Sequence, residues 1–366
     1  MEIIVLNILS AFLISAVAMP LIIFISNRFG IFDGISERKI HTGSMSRLGG
    51  LGIFAAFIMT YFYSILPALP AHVNTFMLTL SMFIAFGTGF VDDLKPIPAR
   101  LKLFLQIAAA AIAASSGLMV KSITFFGLFP IPMGYLALPV TIFWIILFMN
   151  AVNLVDGMDG LAGGLVFIGA SFLAALAFIN GQQGIGLMAA VLAASILGFL
   201  VFNFPPAKLF MGDGGAYFIG FMYGILPLMG ISKASSATVL LYPLALLMLP
   251  LADICSVIIR RRRQQKHIFT ADNNHLHHRL LQFGIPVRGV LVIIYSLTIF
   301  LGGITVIMQY TPPQYAVLIF YILVGVTSLA FILLQILERR IEVIRQSEIV
   351  DVEESELSPD YTRQAL

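Results

Sequence analysis

Five of the chain's ten aspartates, Asp92, Asp93, Asp156, Asp159 and Asp213, stand where long apolar runs end. Neighbouring carboxylates repel unless a cation or proton lies between them, and such oxygen donors suit a hard divalent ion that completes its shell with water and phosphate. The chemistry they suggest is a metal and phosphate site, with Mg²⁺ or Mn²⁺ as the ion. With their neighbours, these residues fall in five polar breaks.

The first break opens with Asp33-Gly34-Ile35-Ser36-Glu37-Arg38-Lys39-Ile40-His41 and closes with Arg47-Leu48-Gly49-Gly50, where a helix start with paired glycines would approach an anion closely. Read blandly, it is a basic topology anchor. The second, Gly89-Phe90-Val91-Asp92-Asp93-Leu94-Lys95-Pro96, sets two carboxylates side by side and follows them with Arg100 and Lys102. In the third, Asn150 to Gly160, the i,i+3 spacing of Asn153, Asp156 and Asp159 predicts one helical face carrying an amide and two acids. That break holds no Lys or Arg, so topology does not account for it. The fourth runs Asn203-Phe204-Pro205-Pro206-Ala207-Lys208-Leu209-Phe210-Met211-Gly212-Asp213-Gly214-Gly215. Its flexible glycine backbone would set N–H groups against phosphate oxygens while Asp213 holds a metal; an ordinary turn is the plainer reading. The fifth spans Arg260 to Arg263, Lys266, His267 and the string His275-Leu276-His277-His278-Arg279, a set of imidazoles and an arginine suited to clamping a diphosphate. Zinc is disfavoured there, because cysteine ligands are absent and the aspartate-rich neighbours favour a harder ion. Asp253, inside the preceding apolar run, is either functional or paired in the interior.

What must position these groups is a membrane bundle. A chain of 366 residues with 59% hydrophobic and 11% charged residues, and a mean hydropathy of +0.99, is no water-soluble globule. Apolar stretches of about 17 to 25 residues recur about eleven times, centred near Ile14, Ala56, Phe83, Ala110, Ile145, Phe172, Ala193, Met222, Leu246, Ile299 and Gly325. No barrel-type alternation is present, so the expected fold is all-α, a polytopic integral membrane protein. The first span is expected to remain as a helix, since no Lys or Arg precedes Arg28 and no small-x-small cleavage signal ends it.

Arg28, Arg38, Lys39 and Arg47 follow that span, which puts the N-terminus outside and the C-terminus in the cytoplasm. With eleven spans, 19 of the 21 Lys and Arg residues fall on the cytoplasmic side, leaving only Lys121 and Lys233 outside. Residues 1–340 then form a single domain with cytoplasmic segments near 26–47, 91–103, 150–160, 203–215 and 259–289, and 341–366 read as a polar tail. The formal charge of +3 hides a contrast between a membrane part at +7 and the stretch from Glu338 onward, which has eight acidic and four basic residues. Basic residues scattered over loops argue against nucleic acid as a partner and fit anionic lipid heads or phosphate ligands. The single cysteine, Cys255, lies within a span and allows no intrachain disulfide.

Taken in order, Val91-Asp92-Asp93, Asn153-Leu154-Val155-Asp156-Gly157-Met158-Asp159-Gly160-Leu161, Phe210-Met211-Gly212-Asp213 and His275-Leu276-His277-His278-Arg279 resemble the polyprenyl-phosphate N-acetylhexosamine-1-phosphate transferase family over residues 1 to about 340. The His-Leu-His-His-Arg string is similar to the branch that starts teichoic acid and other envelope glycans, O-antigen among them, from UDP-N-acetylglucosamine. It looks less like the peptidoglycan branch, where three consecutive histidines are usual. Two departures stand out: Ser46 replaces the proline common before the arginine of the first loop, and Gly214 and Ala216 replace hydroxyl residues after Gly-Asp.

The resemblance implies a multi-pass protein of the bacterial plasma membrane. Its reaction would be attack of an undecaprenyl or other polyprenyl phosphate on the β-phosphorus of UDP-GlcNAc at the cytoplasmic face, releasing UMP. It further implies Mg²⁺ on Asp213 with support from Asp93, and Asp92 orienting or deprotonating the acceptor. Asn153, Asp156 and Asp159 would shape the nucleotide side, and His275, His277, His278 and Arg279 would hold diphosphate or sugar. Lys102 would lie near the acceptor phosphate, and Arg47 near bound phosphate. A homodimer is one arrangement the sequence allows. The rival donor is UDP-MurNAc-pentapeptide or another UDP-HexNAc. The rival class is a cation-coupled transporter, which the placement of the five acids at span ends rather than mid-membrane disfavours.

Overall fold

The structure, a computed structural model, describes residues 2–31, 45–125, 129–230, 240–263, 265 and 275–357. Asp33 to His41, Lys233, Lys266 and His267 lie outside the described residues. The chain divides into two units, Met1–Tyr321 and Ile322–Leu366. Thirteen α-helices are described: α1 (Glu2–Phe29), α2 (Gly49–Thr60), α3 (Thr75–Leu94), α4 (Ala99–Ser115), α5 (Ala137–Val155), α6 (Leu161–Ile179), α7 (Gln183–Asn203), α8 (Gly212–Gly230), α9 (Leu241–Leu246), α10 (Met248–Arg263), α11 (Leu276–Gln282), α12 (Val287–Gln309) and α13 (Pro313–Leu357). The second unit consists, as described, of the helical continuation of α13 as far as Leu357.

Eight helices among the described residues are long and apolar enough to cross a bilayer, so this is a multi-pass α-helical membrane protein. Each of the eleven expected centres lies within a helix. The three centres outside those eight spans belong to α4, which has 17 residues, to α8 and to the broken pair α9 and α10. One short hairpin was not foreseen: β1 (Ser122–Phe125) pairs antiparallel with β2 (Phe129–Pro132), with Ser122 opposite Pro132.

Helix α8 forms the core of the first unit, with every residue but Asp213 buried, and packs against α3 and α5. Such a helix is apolar all round because it meets protein on all sides. Helix α1 shows the converse. Its small and polar positions Asn7, Ala11, Ser15 and Ser26 face inward with Met19 and Ile22, while Leu6, Leu9, Leu13, Val17, Leu21 and Phe24 are exposed. Lipid is as apolar as leucine, so a membrane helix turns its small residues toward protein, where backbones approach closely. Here Ser15 Oγ donates to Ser195 O at 2.6 Å on α7.

Connectivity gathers the polar breaks. Helices α3, α5 and α7 end where α4, α6 and α8 begin, and the start of α2 joins them through its contact with the loop before α8.

Candidate active site

The end of α3 delivers Asp92 and Asp93 with different partners. Asp92 Oδ1 accepts the Ile97 N–H at 2.9 Å, closing the turn into α4. Its Oδ2 accepts from Lys102 Nζ at 2.5 Å, and the same ammonium donates to Asp213 Oδ2 at 3.1 Å. Lys102 therefore bridges two carboxylates from segments over a hundred residues apart, in a partly exposed position. Asp93 turns the other way: Oδ1 accepts from Asp213 N at 2.8 Å and Oδ2 from Gly214 N at 2.9 Å. A helix N-terminus offers unpaired N–H groups and partial positive charge, and at α8 an aspartate takes both.

This junction needs glycine for space. A Cβ at Gly89 would stand 2.2 Å from the Asp213 backbone, one at Gly50 2.3 Å from Gly215, and one at Gly212, where φ is +78°, 2.1 Å from Arg47 O. The residues leading into α2 and its first turn are tied to the loop before α8 by Phe210 N–H to Ser46 O, Gly49 N–H to Phe210 O and Gly50 N–H to Met211 O, at 2.8 to 3.0 Å. Ser46 is buried, its Oγ 2.7 Å from Ser26 Oγ and accepting from Leu48 N at 3.2 Å. Those bonds fix the loop where a proline would have fixed φ.

The third break sits beside this junction. Asp156 ends α5, and burial pushes its carboxyl well above the usual carboxylate range, reinforced by Asp213 and Asp93 and opposed by Arg47. Asp159 is buried, and its Oδ2 accepts from Ala207 N at 3.2 Å. Asn203 clamps the same turn, accepting from Gly160 N and donating to Leu209 O, both at 2.9 Å.

The histidine string forms the start of α11. His275 stacks on His277 with ring centroids 5.9 Å apart, and His277 meets His278 at 4.3 Å with the rings tilted by 40°. His277 is 2% exposed, and its Nε2 faces Gly157, where an added Cβ would lie 3.2 Å away. Burial, with His278 and His275 adding to it, pushes its imidazole down to about 3, so it is neutral near pH 7. His278 is only partly buried, its imidazole also lowered by burial and by His275. Arg279 is 1% exposed and belongs to the interior.

Three expectations are corrected. Asn153, Asp156 and Asp159 do not share one helical face, because α5 stops at Val155 and the Gly157 to Gly160 turn swings Asp159 inward onto Ala207. The Gly49-Gly50 pair packs on Phe199, Phe210 and Gly215 rather than opening onto an anion. The N–H groups of Asp213 and Gly214 meet Asp93 where phosphate oxygens were expected.

A family model for glycosyl transferase family 4 matches residues 75–231, the stretch that carries three of the four motifs. The chain is 33% identical over 329 residues to a Bacillus subtilis protein named "probable undecaprenyl-phosphate N-acetylglucosaminyl 1-phosphate transferase", covering 87% of this chain and 89% of that one. The chain belongs to glycosyl transferase family 4. Other members it resembles are the decaprenyl-phosphate N-acetylglucosaminephosphotransferase of Mycobacterium tuberculosis, 30% identical over 78% of each chain, and the undecaprenyl-phosphate α-N-acetylglucosaminyl 1-phosphate transferase of Escherichia coli K12, 25% identical over 87% of this chain and 88% of that one.

In this family 4 chain the donor set fits a hard divalent ion. Asp92, Asp93, Asp156 and Asp213 gather four carboxyl groups around Lys102 and Arg47, and Asp213 is partly open. Among the described residues no three His, Cys, Asp or Glu side chains form a ready ligand cage. Mg²⁺ takes one or two carboxylates and leaves the rest of its shell to water and phosphates.

Sequence reading missed two positions on α12: Tyr295 OH donates to Gly160 O at 2.6 Å and Arg288 Nη2 to Pro205 O at 3.1 Å. They stand seven residues apart, two turns along one face, and no motif marks them. Gln106 went unnoticed too; it is buried on α4 and accepts from Asn150 Nδ2 at 2.9 Å.

Proposed function

We propose that the protein transfers GlcNAc-1-phosphate from UDP-GlcNAc to undecaprenyl phosphate, releasing UMP and leaving the sugar on a lipid pyrophosphate that starts an envelope glycan. The names of the relatives support the substrates. The observation that carries the site is the Lys102 ammonium held between Asp92 and Asp213 beside Asp93, at the junction of α3, α4 and α8.

The proposed topology has eleven spans, the N-terminus outside, and this junction facing the cytoplasm of the bacterial plasma membrane. Lipid phosphate reaches such a site from the bilayer and nucleotide sugar from the cytosol. Phosphoryl transfer is mostly positioning and charge neutralisation. Asp213, with Asp93 behind it, would hold Mg²⁺, which supplies neutralisation of charge on the phosphates. Lys102 and Arg47 neutralise phosphate oxygens, and Asp92 orients the acceptor through Lys102. His278, the most accessible imidazole of its string, meets the donor diphosphate. His275 and neutral His277 hydrogen-bond around it, and Arg279 holds their helix from within. Asn153, Asp156 and Asp159 shape the nucleotide side.

The test is mass analysis of the lipid product and nucleotide formed by purified protein from labelled donor, polyprenyl phosphate and Mg²⁺. UMP with a GlcNAc-pyrophosphoryl lipid is expected. UDP release would mean glycosyl transfer and would overturn the assignment, and turnover only with UDP-MurNAc-pentapeptide would move it to the peptidoglycan branch.

A further inference from the structure

Asp253 lies five residues into α10 and is 2% exposed, on a helix whose preceding residues are Met248, Leu249, Pro250, Leu251 and Ala252. A carboxylate in such a place costs several kcal/mol unless hydrogen bonds compensate. Both of its oxygens are used on one short stretch: Oδ2 lies 3.0 Å from His275 Nδ1, and Oδ1 accepts from Leu276 N at 3.0 Å. None of the transfer chemistry assigned above uses this group. An ionised carboxylate only accepts, so the pairing puts an imidazole proton on Nδ1, and the neutral tautomer it selects is the one with Nε2, across the ring, bare. The His275 ring lies parallel to that of His277, 7° apart, and His277 Nε2 faces the Asp156-Gly157 turn.

We infer that Asp253 is a positioning residue that fixes the orientation and tautomer of His275, and through the stacked rings the placement of the histidine string over the nucleotide side. The inference rests on the proposed transferase reading for what the string holds. A carboxylate behind an imidazole fixes its tautomer and which nitrogen faces the ligand, as carboxylates do behind metal-bound histidines, where losing them costs about 10- to 100-fold in affinity or activity.

The test has two arms on the full-length protein in nanodiscs. In the first, ¹⁵N-imidazole NMR assigns the His275 signal by its loss in His275→Gln. The wild type should show a protonated Nδ1 and bare Nε2, and Asp253→Asn should shift the ring toward Nε2–H or a mixture. A neutral wild-type ring protonated on Nε2 with Nδ1 bare, or a tautomer unchanged by Asp253→Asn, would overturn the inference. In the second arm, Asp253→Asn should lower kcat/KM by about tenfold or more in the wild-type background, and by less than about threefold when His275 is already Gln. Equal losses in both backgrounds would show that Asp253 acts independently of His275, which also overturns it. Asparagine can still accept the Leu276 N–H, so the fold has its bond. If that variant does not fold, the wild-type tautomer alone decides. The NMR arm needs no turnover, so a wild type that releases no UMP would end the transferase reading while leaving this pairing tested.

Discussion

Lys102 makes Asp92 a poor candidate for a general base. One oxygen is bound to the Ile97 N–H and the other to an ammonium, so a proton taken up there would have to break the ion pair. The acceptor does not need a base either, since a phosphate monoester with a second pKa near 6 is largely dianionic at neutral pH. The Asp92→Asn variant should lose a constant proportion of its UMP release from about pH 6 to pH 9, because orientation of Lys102 is what it removes. A deficit that shrinks as pH rises would restore the base role. His277 gives a second prediction. Its folded-state value of about 3 lies below the 6.5 of an ordinary imidazole, so between those values the unfolded chain binds more protons and stability falls as pH falls. One unit below 6.5 the loss is about 1.4 kcal/mol. The thermal midpoint of His277→Gln should therefore drop less than that of wild type between about pH 7.5 and about pH 5.5; equal drops would mean the ring is not buried as described.

Helix contacts set where these groups stand, and α3 against α8 is the decisive one. Gly89 lets the two backbones touch, whereas Gly87, two residues earlier, faces open space. Gly87→Ala should be neutral or stabilise by up to about 1 kcal/mol, since alanine is the better helix former. Gly89→Ala should cost about 1 to 3 kcal/mol through overpacking, and should cut UMP release about 10²-fold by pulling Asp93 away from the start of α8. Matching thermal midpoints and activities for the two variants would refute this account of the contact. The same contact shows what the sequence hid. That Asp92, Asp93 and Asp213 belong to one site could be read from carboxylates placed at span ends in a known order. Their division of labour could not, because Asp93 and Asp159 are satisfied by backbone N–H groups of Asp213, Gly214 and Ala207, supplied by segments far away in the chain. The glycines misled for a related reason. A glycine that admits a ligand and one that admits another helix look alike until the neighbour is known, and Gly49, Gly50 and Gly89 admit helices and loops.

At the scale of the whole molecule, composition alone established a helical membrane protein, and every expected centre lies in a helix, because apolar runs of spanning length have few other stable forms in lipid. The short hairpin escaped, since strands of four residues carry too little alternation to stand out beside the spans. Sidedness rests on charge, with nearly all Lys and Arg on one face under eleven spans, and it decides whether the proposed site can meet a cytosolic nucleotide sugar. Lys121, just before β1, and Lys208, in the loop leading to α8, are both exposed and fall on opposite faces in that arrangement. In a Cys255→Ser background, Lys121→Cys should react with a membrane-impermeant maleimide on intact spheroplasts, and Lys208→Cys only after lysis. Because Lys208 lies five residues before Asp213, in the loop that leads into the first turn of α8, its label reports the side on which the carboxylates and Lys102 gather. Labelling of Lys208→Cys from outside would put the junction on the face that UDP-GlcNAc does not reach, and the proposed reaction would fail with the chemistry of its residues unchanged.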